Sequence, residues 1–207
     1  MPTVVADAGS DIFINFNSPS VSTPLSGNDP TTGFTGSWTQ VSGPSTASFT
    51  NKALFNTTAS NLIGGVYTFR WTVINTGGCS TNDDVIVNVN RRPTAIDDIV
   101  STNLNTPISI RILDNDTDPE GPATIDHGSV IIVTQPINGS AFVDPTTGIA
   151  LYTPNNGYTG PDSFTYTVKD FQGLVSNFAT ISIGVSIRPT GTNDNAVTLA
   201  STPVVIQ

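Results

Sequence analysis

Cysteine and histidine are almost absent from this sequence. Cys79 is the only cysteine and His127 the only histidine among 207 residues. A single cysteine excludes an intrachain disulfide and a cysteine-based zinc site. His127 falls in a predicted turn, so a hydrolase triad is not indicated. The acidic residues gather in one polar loop and do not flank an apolar pocket, which argues against a glycosidase. We therefore predict that the chain is not an enzyme.

Charged residues are scarce, and most of them are negative. They make up 11% of the chain, against roughly 25% in ordinary soluble domains. The net charge is −9, and Glu120 is the only glutamate among the sixteen acids. Such a surface repels phosphate backbones, so no nucleic-acid partner is predicted. No apolar run reaches about 18 residues, so no membrane insertion is predicted.

Long helical periodicity is also lacking, whereas Thr, Ser, Asn, Gly and Pro are abundant. That mixture favours short strands joined by turns, which indicates an all-β fold. The sequence does not start with a signal peptide. If the protein is secreted, we therefore expect this chain to be an internal segment of it with an added methionine.

An internal repeat divides the chain. Residues 92–110 (RPTAIDDIVSTNLNTPISI) align without gaps with residues 188–206 (RPTGTNDNAVTLASTPVVI). A repeat of this length is a domain and not one turn of a solenoid. We predict three parts: a first β-sandwich over 1–90, a second over 91–187, and the truncated start of the next repeat over 188–207.

Seven short strands are predicted in the first part, which indicates a β-sandwich. They are 11–16, 20–25, 37–41, 47–50, 57–62, 66–74 and 84–89. The sixth strand alternates, placing Tyr67, Phe69 and Trp71 on one face. These aromatic residues and Trp38 form either a carbohydrate-binding platform or the core. Their alternation favours the core.

The second part shows a similar pattern of seven strands. They are predicted at 99–102, 108–113, 129–134, 140–143, 149–153, 163–169 and 177–185. Residues 144–148 (DPTTG) are typical of a tight hairpin turn, in which Gly148 supplies a positive φ. Both parts are therefore predicted to be antiparallel sandwiches in tandem.

The second part resembles a bacterial immunoglobulin-like, cadherin-like tandem repeat of large surface proteins. The resemblance rests on five ordered motifs: 114–121 (DNDTDPEG), 136–139 (PING), 152–154 (YTP), 157–160 (GYTG) and 162–168 (DSFTYTV). It implies a non-catalytic extracellular module that contacts neighbouring repeats.

The first part resembles the PKD-like module of surface proteins in gliding bacteria. The matching pieces are 6–11 (ADAGSD), 36–44 (GSWTQVSGP), 65–73 (GVYTFRWTV) and Cys79 before 83–84 (DD). Modules of that type often carry a second cysteine near the position of Asn15, so Cys79 is expected to be a free thiol. The resemblance implies secretion, commonly by the type IX system, and a link to gliding motility.

Acidic residues recur at alternate positions after the second strand of the second part. In an antiparallel sandwich this loop, the start of the first strand and the turn after the sixth strand all lie at the linker end. Carboxylates that converge there suit a hard cation. The predicted calcium ligands are Asp98, Asp114, Asp116 and Asp118, followed by Asp97, Glu120 and Asp170.

This loop is not an EF-hand, because Pro119 stands where that motif requires glycine. Two interpretations remain open at this point. The loop either binds calcium at the junction and stiffens it, or it is a polar turn held by Asx hydrogen bonds.

The sequence predicts a structural stalk or adhesin segment of a large secreted repeat protein at the bacterial cell surface. Its partners would be neighbouring repeats and, through the parent protein, glycan or protein ligands of cells or the environment. The alternative is an accessory spacer or weak glycan-binding region of a secreted polysaccharide-degrading enzyme.

Overall fold

The computed structural model describes residues 4–187, in which the regular secondary structure is β-strand apart from one short 3-10 turn. The predicted start of a further repeat, 188–207, lies outside the described residues. Strands of the first domain are β1 (Ile12–Phe16), β2 (Val21–Ser26), β3 (Phe34–Ser42), β4 (Ser48–Phe49), β5 (Asn56–Leu62), β6 (Gly65–Asn75) and β7 (Ser80–Arg91). They form one sheet in the order β1-β7-β6-β3 and a second in the order β2-β5-β4.

The second domain repeats this plan. Its strands are β8 (Asp98–Asn103), β9 (Ile108–Ile110), β10 (Ile125–Thr134), β11 (Gly139–Val143), β12 (Ala150–Pro154), β13 (Gly160–Asp170) and β14 (Ala179–Ser186), with one 3-10 turn at Pro122–Thr124. One sheet has the order β10-β13-β14-β8 and the other β11-β12-β9. The predicted all-β tandem of sandwiches is confirmed.

One pairing in each domain is parallel. β1 pairs in parallel with β7, and β8 pairs in parallel with β14. The first strand of each domain lies in a different sheet from the second, so no hairpin joins them. In each domain the first and last strands therefore lie side by side and run in the same direction. The strands between them form the crossover connection that a parallel pair requires.

Strand β6 builds the core of the first domain by alternation. Tyr67, Phe69 and Trp71 are fully buried, whereas Val66 is 55% exposed. Trp38 on β3 is also fully buried, with its ring centroid 5.1 Å from that of Trp71. These aromatic residues therefore pack inside the sandwich and do not form a carbohydrate platform.

The second core is built around the tyrosines and phenylalanine of β12 and β13. Tyr152, Phe164 and Tyr166 are fully buried against Ile112 and Ile181. Gly148 has φ 70°, as the predicted hairpin turn requires. Strand β10 begins at Ile125, earlier than predicted, because Ile125 and Asp126 also pair with β13. A register shift separates these two pairs from the rest of the strand.

Cys79 lies in the exposed turn between β6 and β7, away from both cores. Its backbone N–H donates to Asn75 Oδ1 at 3.0 Å, a bond that a serine would keep. We expect Cys79→Ser to shift the melting temperature by less than about 4 °C, since exposed substitutions change stability by about 0.5 kcal/mol or less. Differential scanning calorimetry measures this shift. A loss above about 2 kcal/mol would place the thiol in a packed environment instead.

Candidate cation sites at the domain junction

The acidic residues predicted as ligands gather at one end of the second domain, next to the end of the first. Asp98 begins β8, and Asp170 ends β13 opposite Ile125. The loop that carries Asp114 to Glu120 is held to the chain just after the linker, because the backbones of Thr94 and Thr117 exchange hydrogen bonds of 2.7 and 3.0 Å.

One group of acids surrounds Asp98. Asn115 donates from Nδ2 to Asp98 Oδ1 at 3.0 Å and to the Asp97 carbonyl at 3.3 Å. Burial raises the pKa of Asp98 to about 6, and the charges of Asp116, Asp114 and Asp97 act in the same direction. Like charges held this close favour either a proton or a cation among them.

Asp116 is already engaged by the fold. Its Oδ1 accepts from the Ile96 backbone N–H at 2.8 Å, and its two oxygens lie 2.9 and 3.0 Å from the Tyr166 hydroxyl. That hydroxyl also reaches the Ile112 carbonyl at 2.7 Å. Asp116 is only 6% exposed, and burial raises its pKa. It therefore anchors the loop to β13, with Oδ1 held by the Ile96 N–H and the single Tyr166 hydroxyl proton shared between Asp116 and the Ile112 carbonyl.

A second group, Asp118, Glu120 and Asp170, meets the first domain. Glu120 Oε2 accepts from the Arg91 backbone N–H at 3.1 Å. Asp170 Oδ2 accepts from Asn90 Nδ2 at 2.9 Å, and its Oδ1 accepts from the Leu174 N–H at 2.8 Å. Burial raises the pKa of Glu120 to about 7, and the neighbouring carboxyl of Asp118 adds to this.

Several buried oxygens in these two groups have no hydrogen-bond partner. They are Asp98 Oδ2 and Asn115 Oδ1 in the first group, and Asp118 Oδ2 and Glu120 Oε1 in the second, joined by Asn90 Oδ1 of the first domain. Buried polar atoms are nearly always paired, so these oxygens need partners that the chain does not supply, either water or an ion. Oxygen donors alone suit a calcium-like hard cation.

Acidic side chains are not sufficient to complete either site. Among residues 4–187, no three Asp, Glu, His or Cys side chains converge in a way that would hold a metal ion. Amide and carbonyl oxygens would therefore have to contribute, and Asn90 and Asn115 are placed to do so. Counting carboxylates in the sequence missed both asparagines, although Asn115 stands between two of the predicted ligands.

The raised carboxyl pKa values predict how stability depends on pH when divalent cations are removed. Asp98, facing Asp97, Asp114 and Asp116, and Glu120, facing Asp118, bind protons more tightly in the folded state. The free energy of unfolding should therefore fall as the pH rises from about 4.5 to 7. Thermal melts in chelator should show a higher melting temperature at about pH 5 than at about pH 7.5. A flat or rising profile would contradict these pKa shifts.

Both parts of the chain match known domain families. Residues 8–89 match the family model described as K319L-like, PKD domain. Residues 90–184 match the model described as bacterial Ig domain. No curated protein sequence matches the chain. Domains of these kinds are typically extracellular, and they are generally structural or adhesive and not catalytic.

Solved structures of similar fold include two PKD domains and an Ig pair. The PKD domain from the KIAA 1837 protein shares 26% identity, with 44% of this chain and 90% of that chain covered and a TM-score of 0.38. The PKD domain of human KIAA0319 shares 19% identity, with 42% and 80% covered and a TM-score of 0.36.

The pair IG1+IG2 of DIP-gamma shares 10% identity, with 89% and 99% covered and a TM-score of 0.48. Scores this low carry no functional information. Within residues 4–187, no helix has the length and apolar character needed to cross a membrane. The family matches give the same order as the two resemblances, with a PKD domain over residues 8–89 followed by a bacterial Ig-like domain over residues 90–184.

Proposed function

We propose that this chain is a structural spacer within a large secreted surface protein that acts in attachment or gliding. One observation carries the proposal: the two domains are joined by direct polar contacts at their adjoining ends. Asn90 of β7 bonds to Asp170, and the Arg91 backbone bonds to Glu120. A spacer needs such a junction, because freely tumbling domains would not hold a binding tip at a fixed distance.

The linker supports the same function. Strand β7 continues to Arg91, and Pro93 is buried. Proline fixes its own φ and restricts the residue before it, so few rotatable bonds separate the domains. The Arg91 guanidinium lies 5.7 Å from the centre of the Phe16 ring. Arg91 therefore packs on the first domain.

Exchanging this segment of the parent protein for another one distinguishes a spacer from a glycan-binding module. In the parent protein, residues 4–187 would be replaced by an unrelated rigid pair of Ig domains of similar length. A spacer predicts that surface display and attachment survive the exchange. Loss of attachment, together with binding of the isolated chain on a glycan array, would favour the accessory glycan-binding alternative. The burial of Trp38 and Trp71 argues against that alternative.

Calcium is the cation proposed for the group around Asp98, where Asp98 Oδ2 and Asn115 Oδ1 are buried without partners. Extracellular modules bind calcium with dissociation constants of about 10⁻⁴ to 10⁻³ M. At about 1 mM calcium and a dissociation constant of about 10⁻⁴ M, folding would gain about 1.4 kcal/mol.

Calorimetric titration of chelator-treated protein with calcium tests this site. Asp98→Asn is the informative variant, because Asp116 also anchors Tyr166 and its removal would disturb the fold. We expect Asp98→Asn to reduce the heat of binding and the calcium-dependent rise in melting temperature. If the unaltered protein shows neither a heat of calcium binding nor a calcium-dependent rise in melting temperature, only the polar-turn interpretation remains.

A further inference from the structure

Strand β8 has a backbone edge that its own domain leaves unpaired. It lies at the end of the sheet β10-β13-β14-β8, and within residues 4–187 only β14 pairs with it. The N–H of Leu104, just past β8, donates to the Ser186 carbonyl of β14 at 2.8 Å. Alternate residues of a strand direct their N–H and C=O groups to opposite sides, so those of Ile99 and Ser101 point away from β14. No backbone or side-chain group in the described part of the chain hydrogen-bonds to them there.

Ile99 is exposed at this edge to an extent that the fold does not require. Its side chain is 89% exposed. Ser182 lies opposite it on β14 and Gly184 lies two residues further along, and both are too small to cover it. The internal repeat places Asn195 at the equivalent position, so the repeat pattern does not demand an apolar residue there. An apolar side chain beside an open strand edge is suited to contact with another strand.

Several other edges in the two domains are protected against such pairing. Register shifts interrupt β3 and β10, which are edges of the four-stranded sheets. Pro24 lies within β2, and the Ala141 N–H of β11 donates to the Gln135 side chain at 3.2 Å. By contrast, the register of β8 with β14 is continuous from Asp98 to Asn103, and β8 contains neither proline nor lysine. β8 therefore lacks the features that usually block an edge.

Charge favours a second copy of β8 as the strand that pairs here. The chain has a net charge of −9, so two copies repel each other over most of their surface. From Ile99 to Asn103, however, β8 carries no charged side chain. Antiparallel pairing centred on Val100 would set Asp98 of each copy opposite Thr102 of the other. The two Asp98 residues would then be about 13 Å apart along the strands, beyond the Debye length of about 8–10 Å.

We propose that β8 is a homotypic docking edge, at which β8 of a second copy pairs antiparallel and joins two four-stranded sheets into one. Ile99 of each copy lies opposite Ser101 of the other, and each such pair exchanges backbone hydrogen bonds on the open side. The two Ile99 side chains become diagonal neighbours on the outer face of the sheet, within reach of each other. This inference goes beyond the spacer function, since it joins chains side by side.

A single contact of this kind is weak. Two short strands and two isoleucines bury less than the roughly 1,000 Å² that a stable interface needs. Copies displayed together on a surface would add such contacts, and avidity would then strengthen the association. The isolated chain should therefore associate reversibly and only at high concentration.

Three substitutions separate pairing at this edge from general stickiness. Ser101→Pro removes an N–H that points to the open side, so it blocks the edge without breaking a bond to β14. Ile99→Asn introduces the residue that the repeat carries at the equivalent position. Ile137→Asn is the matched control, because Ile137 is 88% exposed but lies in the connection between β10 and β11.

Sedimentation velocity of the full chain, from about 5 to about 500 µM, measures the association. We expect the sedimentation coefficient to rise with concentration for the unaltered chain and equally for Ile137→Asn. Ser101→Pro and Ile99→Asn should each weaken the association by at least about tenfold. Far-UV circular dichroism checks that each variant is folded.

A disulfide cross-link tests the register. In a Cys79→Ser background, a chain with Ile99→Cys is mixed with a chain with Ser101→Cys under mild oxidation. Residues directly opposite each other in such a pair have Cα atoms about 5.5 Å apart, which a disulfide can bridge. The mixture should give at least about tenfold more disulfide-linked dimer than either chain alone, because identical positions are offset along the strands.

Three results would overturn the proposal. The first is a chain that stays monomeric throughout this concentration range. The second is association that neither Ser101→Pro nor Ile99→Asn weakens, or that Ile137→Asn weakens equally, because another surface would then be responsible. The third is equal cross-linking in the mixture and in each chain alone. None of these results bears on the spacer proposal, which the exchange experiment tests separately.

Discussion

Replacing Trp71 with alanine should destabilise the PKD domain by about 3–5 kcal/mol and leave the Ig-like domain nearly unchanged. Trp71 is fully buried, packs against Trp38 at 5.1 Å, and donates from Nε1 to Asn28 Oδ1 at 3.1 Å. Gly27 and Gly36 lie directly against its ring, so the space it leaves has rigid backbone walls and cannot collapse easily. The cost therefore combines lost burial with an unfilled cavity.

Urea unfolding can follow the two domains separately. Both tryptophans lie in the PKD domain, so the remaining Trp38 reports on that domain, while far-UV circular dichroism reports on both. Val66→Ala on the outward face of the same strand is the control, and should cost less than about 1 kcal/mol. A comparable loss of stability in both domains would contradict separate cores, and a loss below about 1 kcal/mol would contradict the packing of Trp71.

Replacing Asp162 with alanine should destabilise the Ig-like domain by about 3 kcal/mol. The carboxylate is 9% exposed. It accepts from the Ile137 and Asn138 backbone N–H groups at 3.1 and 3.0 Å and from the Tyr152 hydroxyl at 2.9 Å. Removing it leaves several donors without a partner, each costing about 1–3 kcal/mol when buried.

Asp144→Ala provides the matched control for this substitution. Asp144 is exposed and caps its own turn through the backbone N–H groups of Thr146 and Thr147. Its loss should cost about 1 kcal/mol or less, because water replaces it as an acceptor. Equal effects of the two substitutions, measured by chemical denaturation, would show that the Asp162 network contributes little to the fold.

Much of the fold was predictable from the sequence because strand alternation has a strict period of two. The alternation along 66–73 identified Tyr67, Phe69 and Trp71 as core residues, and Gly148 marked a turn that requires positive φ. These are local signals, each carried by a few neighbouring residues. The parallel pairing of β1 with β7 was not predictable in the same way, because it joins strands from opposite ends of a domain.

The site was harder to predict, because its geometry depends on partners far away in the chain. Nothing near Asp116 in the sequence shows that Tyr166 holds it, and nothing near Asp170 points to Asn90 in the other domain. Alternate acids in one loop suggested a single cluster. The structure instead distributes them between a group around Asp98 and a group at the junction, so calcium binding by either remains a prediction.

Small-angle X-ray scattering of the full chain tests the central claim, that the two domains are held end to end as a spacer. A compact globule of this length would have a radius of gyration of about 17 Å. Two domains stacked end to end predict about 22 Å or more, with an elongated distance distribution that keeps its shape when calcium is present. A radius of gyration of about 17 Å in the presence of calcium would contradict the spacer.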